Sequence, residues 1–167
     1  AEAFLCDSIK SVAIPDSVTE IGERAFIKST SLKSVTIGNG VKEIGAQAFW
    51  YCTSLDTVTF GNSVTNIRDE AFRGCSSLTD ITLPDSVTEI GSYAFSKCDS
   101  LNTFTFGNGV TKIGEWAFSE CTSLVSVNIP NGVKQIPGAA FWKCTSLIMV
   151  TFPDGLTSIG HGAFQYC

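Results

Sequence analysis

Cys52, Cys75, Cys98, Cys121, Cys144 and Cys167 stand 23 residues apart, and stepping back from Cys52 by the same interval reaches Ser29 and then Cys6. Other columns keep the same ruler. Ile9, Leu32, Leu55, Leu78, Leu101, Leu124 and Leu147 form one. Val35, Val58, Ile81, Phe104, Val127 and Val150 form the next, and Ile37, Phe60, Leu83, Phe106, Ile129 and Phe152 a third. A unit this short cannot bury its own apolar face, so successive units must stack and bury one another.

Within a unit, segments such as "LKSVTI" and "LDTVTF" place apolar residues at positions one, four and six, the last two in strand-like alternation. A "PDS", "GNG" or "PNG" cluster then stops the strand. A spaced pair such as Val41 and Ile44 predicts a second short extended run. The glycine that usually follows shares its column with Arg68 and Pro137, so a positive φ is not obligatory there. The Ala-Phe step before each cysteine predicts a helical turn or short helix.

An internal period between 20 and 29 residues points to a leucine-rich-repeat solenoid. The predicted fold is an α/β repeat solenoid, a right-handed superhelix with a parallel β-sheet on one face and short extended or helical turns on the other. Residues 1–167 form one solenoid of about seven repeats. A partial unit, 1–8, precedes coils that start at Ile9, Leu32, Leu55, Leu78, Leu101, Leu124 and Leu147. No polar cap is visible at either end, which predicts a fragment of a longer array or ends that stack on other copies.

The consensus "LxxVTIPxxVTEIGxxAFxxCTS", clearest in "LTDITLPDSVTEIGSYAFSKCDS" (78–100), resembles the BspA-like, Treponema pallidum-type class of leucine-rich repeats. Two departures are Ser29 in the cysteine column and "AFLC" in the first unit, one residue shorter than elsewhere. The resemblance implies a surface or secreted protein, extracellular in location. It also implies a role in adhesion, with host matrix protein among the expected ligands.

Composition excludes several other classes. The net charge is −5 with no basic run, which disfavours a nucleic-acid partner. No apolar stretch approaches the roughly 18 residues of a membrane span, so no membrane insertion is expected.

The column Cys6, Cys52, Cys75, Cys98, Cys121, Cys144 and Cys167 lacks the close ligand pairs of a metal site. Stacked disulfides remain geometrically open. A regular column that accepts serine at one position fits buried thiols, each offering its S–H to a backbone carbonyl. The Phe26 to Phe164 column reads as a core spine.

Outward strand positions carry Thr36, Thr59, Thr82 and Thr105, either a plain β-face or a flat recognition surface. Trp50, Tyr51, Tyr93, Trp116 and Trp142, with Tyr166, occupy positions that change from coil to coil. Partner binding and edge packing are both open readings for them. His161 is the single histidine, and nothing assembles a nucleophile, base and oxyanion site around it.

The expected function is therefore a non-enzymatic binding or adhesion module, without a cofactor, that recognises a protein or glycan. The alternative is a structural repeat that self-associates head to tail into a filament or spacer.

Overall fold

The computed structural model describes residues 8–167, so Cys6 and the irregular "AFLC" unit lie outside the described residues. The described chain is a parallel β-solenoid in which each coil contributes one longer and one two-residue strand. The longer strands are β1 (Ser11–Ile14), β3 (Ser34–Ile37), β5 (Thr57–Thr59), β7 (Asp80–Thr82), β9 (Thr103–Thr105), β11 (Ser126–Asn128) and β13 (Met149–Thr151). The shorter are β2 (Glu20–Ile21), β4 (Glu43–Ile44), β6 (Asn66–Ile67), β8 (Glu89–Ile90), β10 (Lys112–Ile113), β12 (Gln135–Ile136) and β14 (Ser158–Ile159).

Partners along each ladder differ by one repeat, as in Val35↔Val58 and Ile67↔Ile90. Slipping a strand by one residue would turn its apolar set outward, so the columns fix the register. The longer strands form a three-stranded sheet, β1-β3-β5, and a four-stranded one, β7-β9-β11-β13. The shorter strands divide into β2-β4-β6-β8-β10 and β12-β14.

The second division has a covalent cause. Gly45, Arg68, Gly91, Gly114 and Gly160 each donate their N–H to an isoleucine carbonyl of the preceding coil, at 2.7–2.9 Å. Pro137 holds the same column and has no N–H to give. The ladder stops between β10 and β12, where that bond is missing.

Helical turns do not occur: among the described residues there is no α-helix, and the α/β assignment is corrected to an all-β coil closed by turns. Each coil instead places two residues, four apart, in the left-handed region. They run from Arg24 and Lys28, through Tyr93 and Lys97, to Gly162 and Tyr166, with φ between 52° and 75°. These N–H groups turn toward the neighbouring coil rather than along their own axis. Arg24, Phe26 and Lys28 donate to the carbonyls of Ala46, Ala48 and Trp50, at 2.7–2.9 Å. The intervening Ala25, Ile27 and Ser29 donate three residues back, to Gly22, Arg24 and Phe26. A helix would satisfy the backbone within one coil and leave the coils unlinked along this side. Stacked turns satisfy alternate donors between coils, which offsets the cost of the left-handed residues.

The recurring glycine is explained by close approach. None of Gly22, Gly45, Gly91, Gly114 and Gly160 is among the positive-φ residues. A Cβ at Gly114 would come within 2.3 Å of the Ser92 nitrogen and 2.4 Å of the Gly91 carbonyl carbon in the coil below.

The core runs the length of the stack. Its centre is the phenylalanine spine, whose rings lie 5.1–5.7 Å apart and parallel within 7° from Phe26 to Phe164. The alanine before each phenylalanine is fully buried at Ala48, Ala71, Ala94, Ala117 and Ala140.

Candidate functional site

The thiol column lies inside the wall. Cys52, Cys75, Cys98, Cys121 and Cys144 have no exposed surface. Each sulfur donates to the carbonyl of the phenylalanine one coil earlier: Cys52 to Phe26, and so on to Cys167 with Phe141, at 3.0–3.3 Å. Burial pushes the Cys52 and Cys144 thiols up to about 12, and those of Cys75, Cys98 and Cys121 well above their ordinary value. All six described thiols are free. A thiol with so raised a pKa is a poor nucleophile, because the thiolate is the reactive form. Ser29 fills its place in the column at 2% exposure.

Thr36, Thr59, Thr82 and Thr105 are exposed on the outward face of the longer strands. Thr36 pairs with Thr59 and Thr82 with Thr105, but the break between β5 and β7 separates the two pairs. The row ends in Asn128 and Thr151, and beside it in the last coil Ile148 is 82% and Met149 60% exposed.

A different edge gathers the aromatics. Tyr93 and Trp116 stack with centroids 5.9 Å apart. Trp116 meets Trp142 edge to face at 5.5 Å, and Trp142 meets Tyr166 at 5.9 Å. The Arg73 guanidinium lies 5.1 Å over Tyr93, and the Lys143 ammonium 4.2 Å over Trp142. Trp50 and Tyr51 form a separate pair at 4.4 Å, with Lys28 over Trp50. The five aromatics of the sequence reading are half-buried and Tyr166 is exposed. The structure thus brings Tyr93, Trp116, Trp142 and Tyr166 into one line and leaves Trp50 and Tyr51 apart from it.

The line crosses three columns, with Tyr166 in the column of Lys143, and a size exchange links the first two. Where Tyr93 and Trp116 are large, the residues three positions on are Ser96 and Ser119. Those serines are buried and hydrogen-bonded to each other at 2.8 Å. In the next coil the order reverses, with Ala139 in the first column and Trp142 in the second. Beside this reversal a groove of about 380 Å³ opens, lined by Glu115, Trp116, Gly138, Trp142, His161 and Gln165, among others. Glu115, His161 and Gln165 were not singled out as site residues by sequence reasoning. Their signal was present, since Glu115, Gly138 and His161 share one variable column beside the tryptophans.

A larger groove on the shorter-strand face is charged and internally paired. Arg68 bonds Glu43 and Lys112 bonds Glu89, each at 2.6 Å. The hydrogen bond from Arg68 holds the Glu43 carboxyl below its ordinary value. Such exposed pairs contribute about 0–1 kcal/mol each. Among the described residues, no three His, Cys, Asp or Glu side chains converge as metal ligands.

The model of the BspA type leucine rich repeat region matches six copies, over residues 1–98 and 65–167. The chain belongs to this family. A Treponema pallidum leucine-rich repeat protein is similar in structure at TM-score 0.91 and 34% identity, over 95% of this chain and 76% of its own. A leucine-rich cell surface protein of Faecalibacterium prausnitzii is 35% identical at TM-score 0.62, over 93% of this chain and 58% of its own. A leucine-rich repeat protein of Eubacterium ventriosum is 26% identical at TM-score 0.64, over 95% of this chain and 59% of its own. This BspA-type chain therefore spans about three quarters of the first relative and less than 60% of the other two. No curated protein matches it. BspA-type repeats share the leucine-rich scaffold, which in general is a non-enzymatic surface for binding. Among the described residues, no helix is long and apolar enough to cross a membrane.

Proposed function

We propose that this chain is a non-catalytic binding module, displayed at the cell surface or secreted, that holds a protein or glycan partner along its aromatic edge. The observation that carries this reading is the half-exposed line Tyr93–Trp116–Trp142–Tyr166, sustained over four coils by compensating small residues. An edge needed only as cover would not require two columns to exchange sizes in register. Tryptophan and tyrosine combine large apolar area with a polar tip, and they dominate the energetic centres of interfaces. The extracellular placement is supported by the F. prausnitzii relative, itself described as a cell surface protein.

Capture of matrix proteins and glycans from an immobilised panel tests it. Trp116→Ala and Trp142→Ala are expected to weaken capture at least tenfold, about 1.4 kcal/mol, with unchanged circular dichroism. Thr82→Ala with Thr105→Ala should leave capture intact. The reverse pattern would move the site to the threonine face.

A further inference from the structure

The groove beside Trp116 and Trp142 coincides with a local departure of the chain from its own repeat. Where the two preceding coils read "IGSYAF" and "IGEWAF" and the following one "IGHGAF", this coil reads "IPGAAF". All three changes act at the same place. Pro137 removes a ladder donor, and pairing of the shorter strands stops there. Gly138 and Ala139 replace Glu and Trp, so the floor of the groove has almost no side chain. The Trp116 N–H reaches the Gly138 carbonyl at 3.2 Å, longer than the 2.7–3.0 Å of the other inter-coil bonds in this segment. Gly138 does not need to be glycine for packing: a Cβ there would meet only the His161 carbonyl, at 3.5 Å. Close coil-to-coil approach, which explains Gly114, therefore does not explain Gly138.

We infer that this groove is a carbohydrate subsite that takes a neutral hexopyranose unit of an extended glycan, an assignment that rests on the binding reading above and specifies its ligand. The two indole rings are inclined at 65° to each other, and both tryptophans line the groove. A pyranose ring presents an apolar C–H face suited to one indole, while its equatorial hydroxyls point sideways. The sideways groups present are Glu115, His161 and Gln165, which together offer hydrogen-bond donors and acceptors at the rim. A single carboxylate in the rim, on a chain of net charge −5, disfavours phosphorylated or sulfated ligands. The groove is too small for a folded protein segment. Its continuation by Tyr93 on one side and Tyr166 on the other gives neighbouring units of the same glycan further aromatic surface.

The test titrates the purified chain with neutral hexa-oligosaccharides of β-glucan, mannan and galactan type, read by tryptophan fluorescence and by saturation-transfer NMR. At least one series is expected to bind. Trp142→Ala should weaken it at least tenfold by removing one of the lining indoles. Gly138→Leu should abolish it by filling the floor, with both tryptophans retained and the thermal transition preserved. Absence of binding by all three series overturns the inference, as does binding that survives both substitutions. If the tryptophan variants still lose capture of a matrix protein while no oligosaccharide binds, the edge is a protein site and only the carbohydrate assignment fails. If neither capture nor oligosaccharide binding depends on these residues, the aromatic-edge reading fails with it.

Discussion

Raising the pH from 8.5 to 9.5 is expected to cost this protein on the order of 5 kcal/mol of folding stability, roughly 1 kcal/mol for each of its five fully buried thiols. Unfolded cysteines ionise near pH 8.5. In the folded coil desolvation holds Cys52 and Cys144 protonated to about 12, and burial likewise raises Cys75, Cys98 and Cys121 well above their ordinary value. Above pH 8.5 the unfolded chain therefore binds fewer protons than the folded one, and stability falls as pH rises. Below the unfolded pKa both states are protonated, and this contribution is fully present.

Urea midpoints measured under reducing conditions at the two pH values check it. Cys98→Ser should fold, because Ser29 already sits buried in that column, and should reduce the pH slope by about one fifth. In thiol labelling of the native protein, Cys167, at the exposed end, should react ahead of the other five described positions. A pH-independent midpoint, or Cys98 labelling as fast as Cys167, would contradict the buried column.

Phe95→Ala is expected to destabilise the chain by about 3–5 kcal/mol. Phe95 is fully buried, stacked between Phe72 at 5.3 Å and Phe118 at 5.7 Å, and met edge-on by Phe104 at 5.0 Å. Its removal leaves a cavity that stacked coils cannot close, because inter-coil backbone hydrogen bonds hold their spacing on every side. A solenoid's stability is a sum over neighbours, so a central defect also uncouples the coils on either side. Urea denaturation should show the loss, and hydrogen exchange should rise around residues 93–118 before the distant coils. Phe164→Ala, half-buried in the last coil, should cost much less. A loss below about 1 kcal/mol at Phe95 would remove the spine from the account of stability.

Family membership and the parallel stacking were legible in the columns, because each buried side chain must meet its own kind one coil away. The closing turns were not. "AFxxC" suits a helical turn as well as a chain of turns, and the left-handed positions are filled mostly by residues such as Arg24, Gln47, Glu70, Tyr93 and Trp116, with glycine only at Gly74 and Gly162. Only the need of the next coil for donors selects between the two. The glycine column misled in the opposite direction. It marks backbone approach, as Gly114 shows, and the left-handed region lies elsewhere.

For the candidate site, the sequence named the aromatics without ordering them. Trp116 and Trp142 stand in different columns, and no one-dimensional pattern indicates that their rings lie 5.5 Å apart. Nor did it separate Trp50 and Tyr51 from that line, or single out Glu115, His161 and Gln165 as the rim of the same groove.

By itself, then, the sequence determined the period, the strand register and which columns face inward, since burial is decided by side-chain type and spacing. Tertiary structure alone decided how each coil closes, where the shorter-strand ladder breaks and which aromatics share an edge. Those outcomes depend on hydrogen bonds and contacts between residues one coil apart, and they exist only once the coils are stacked.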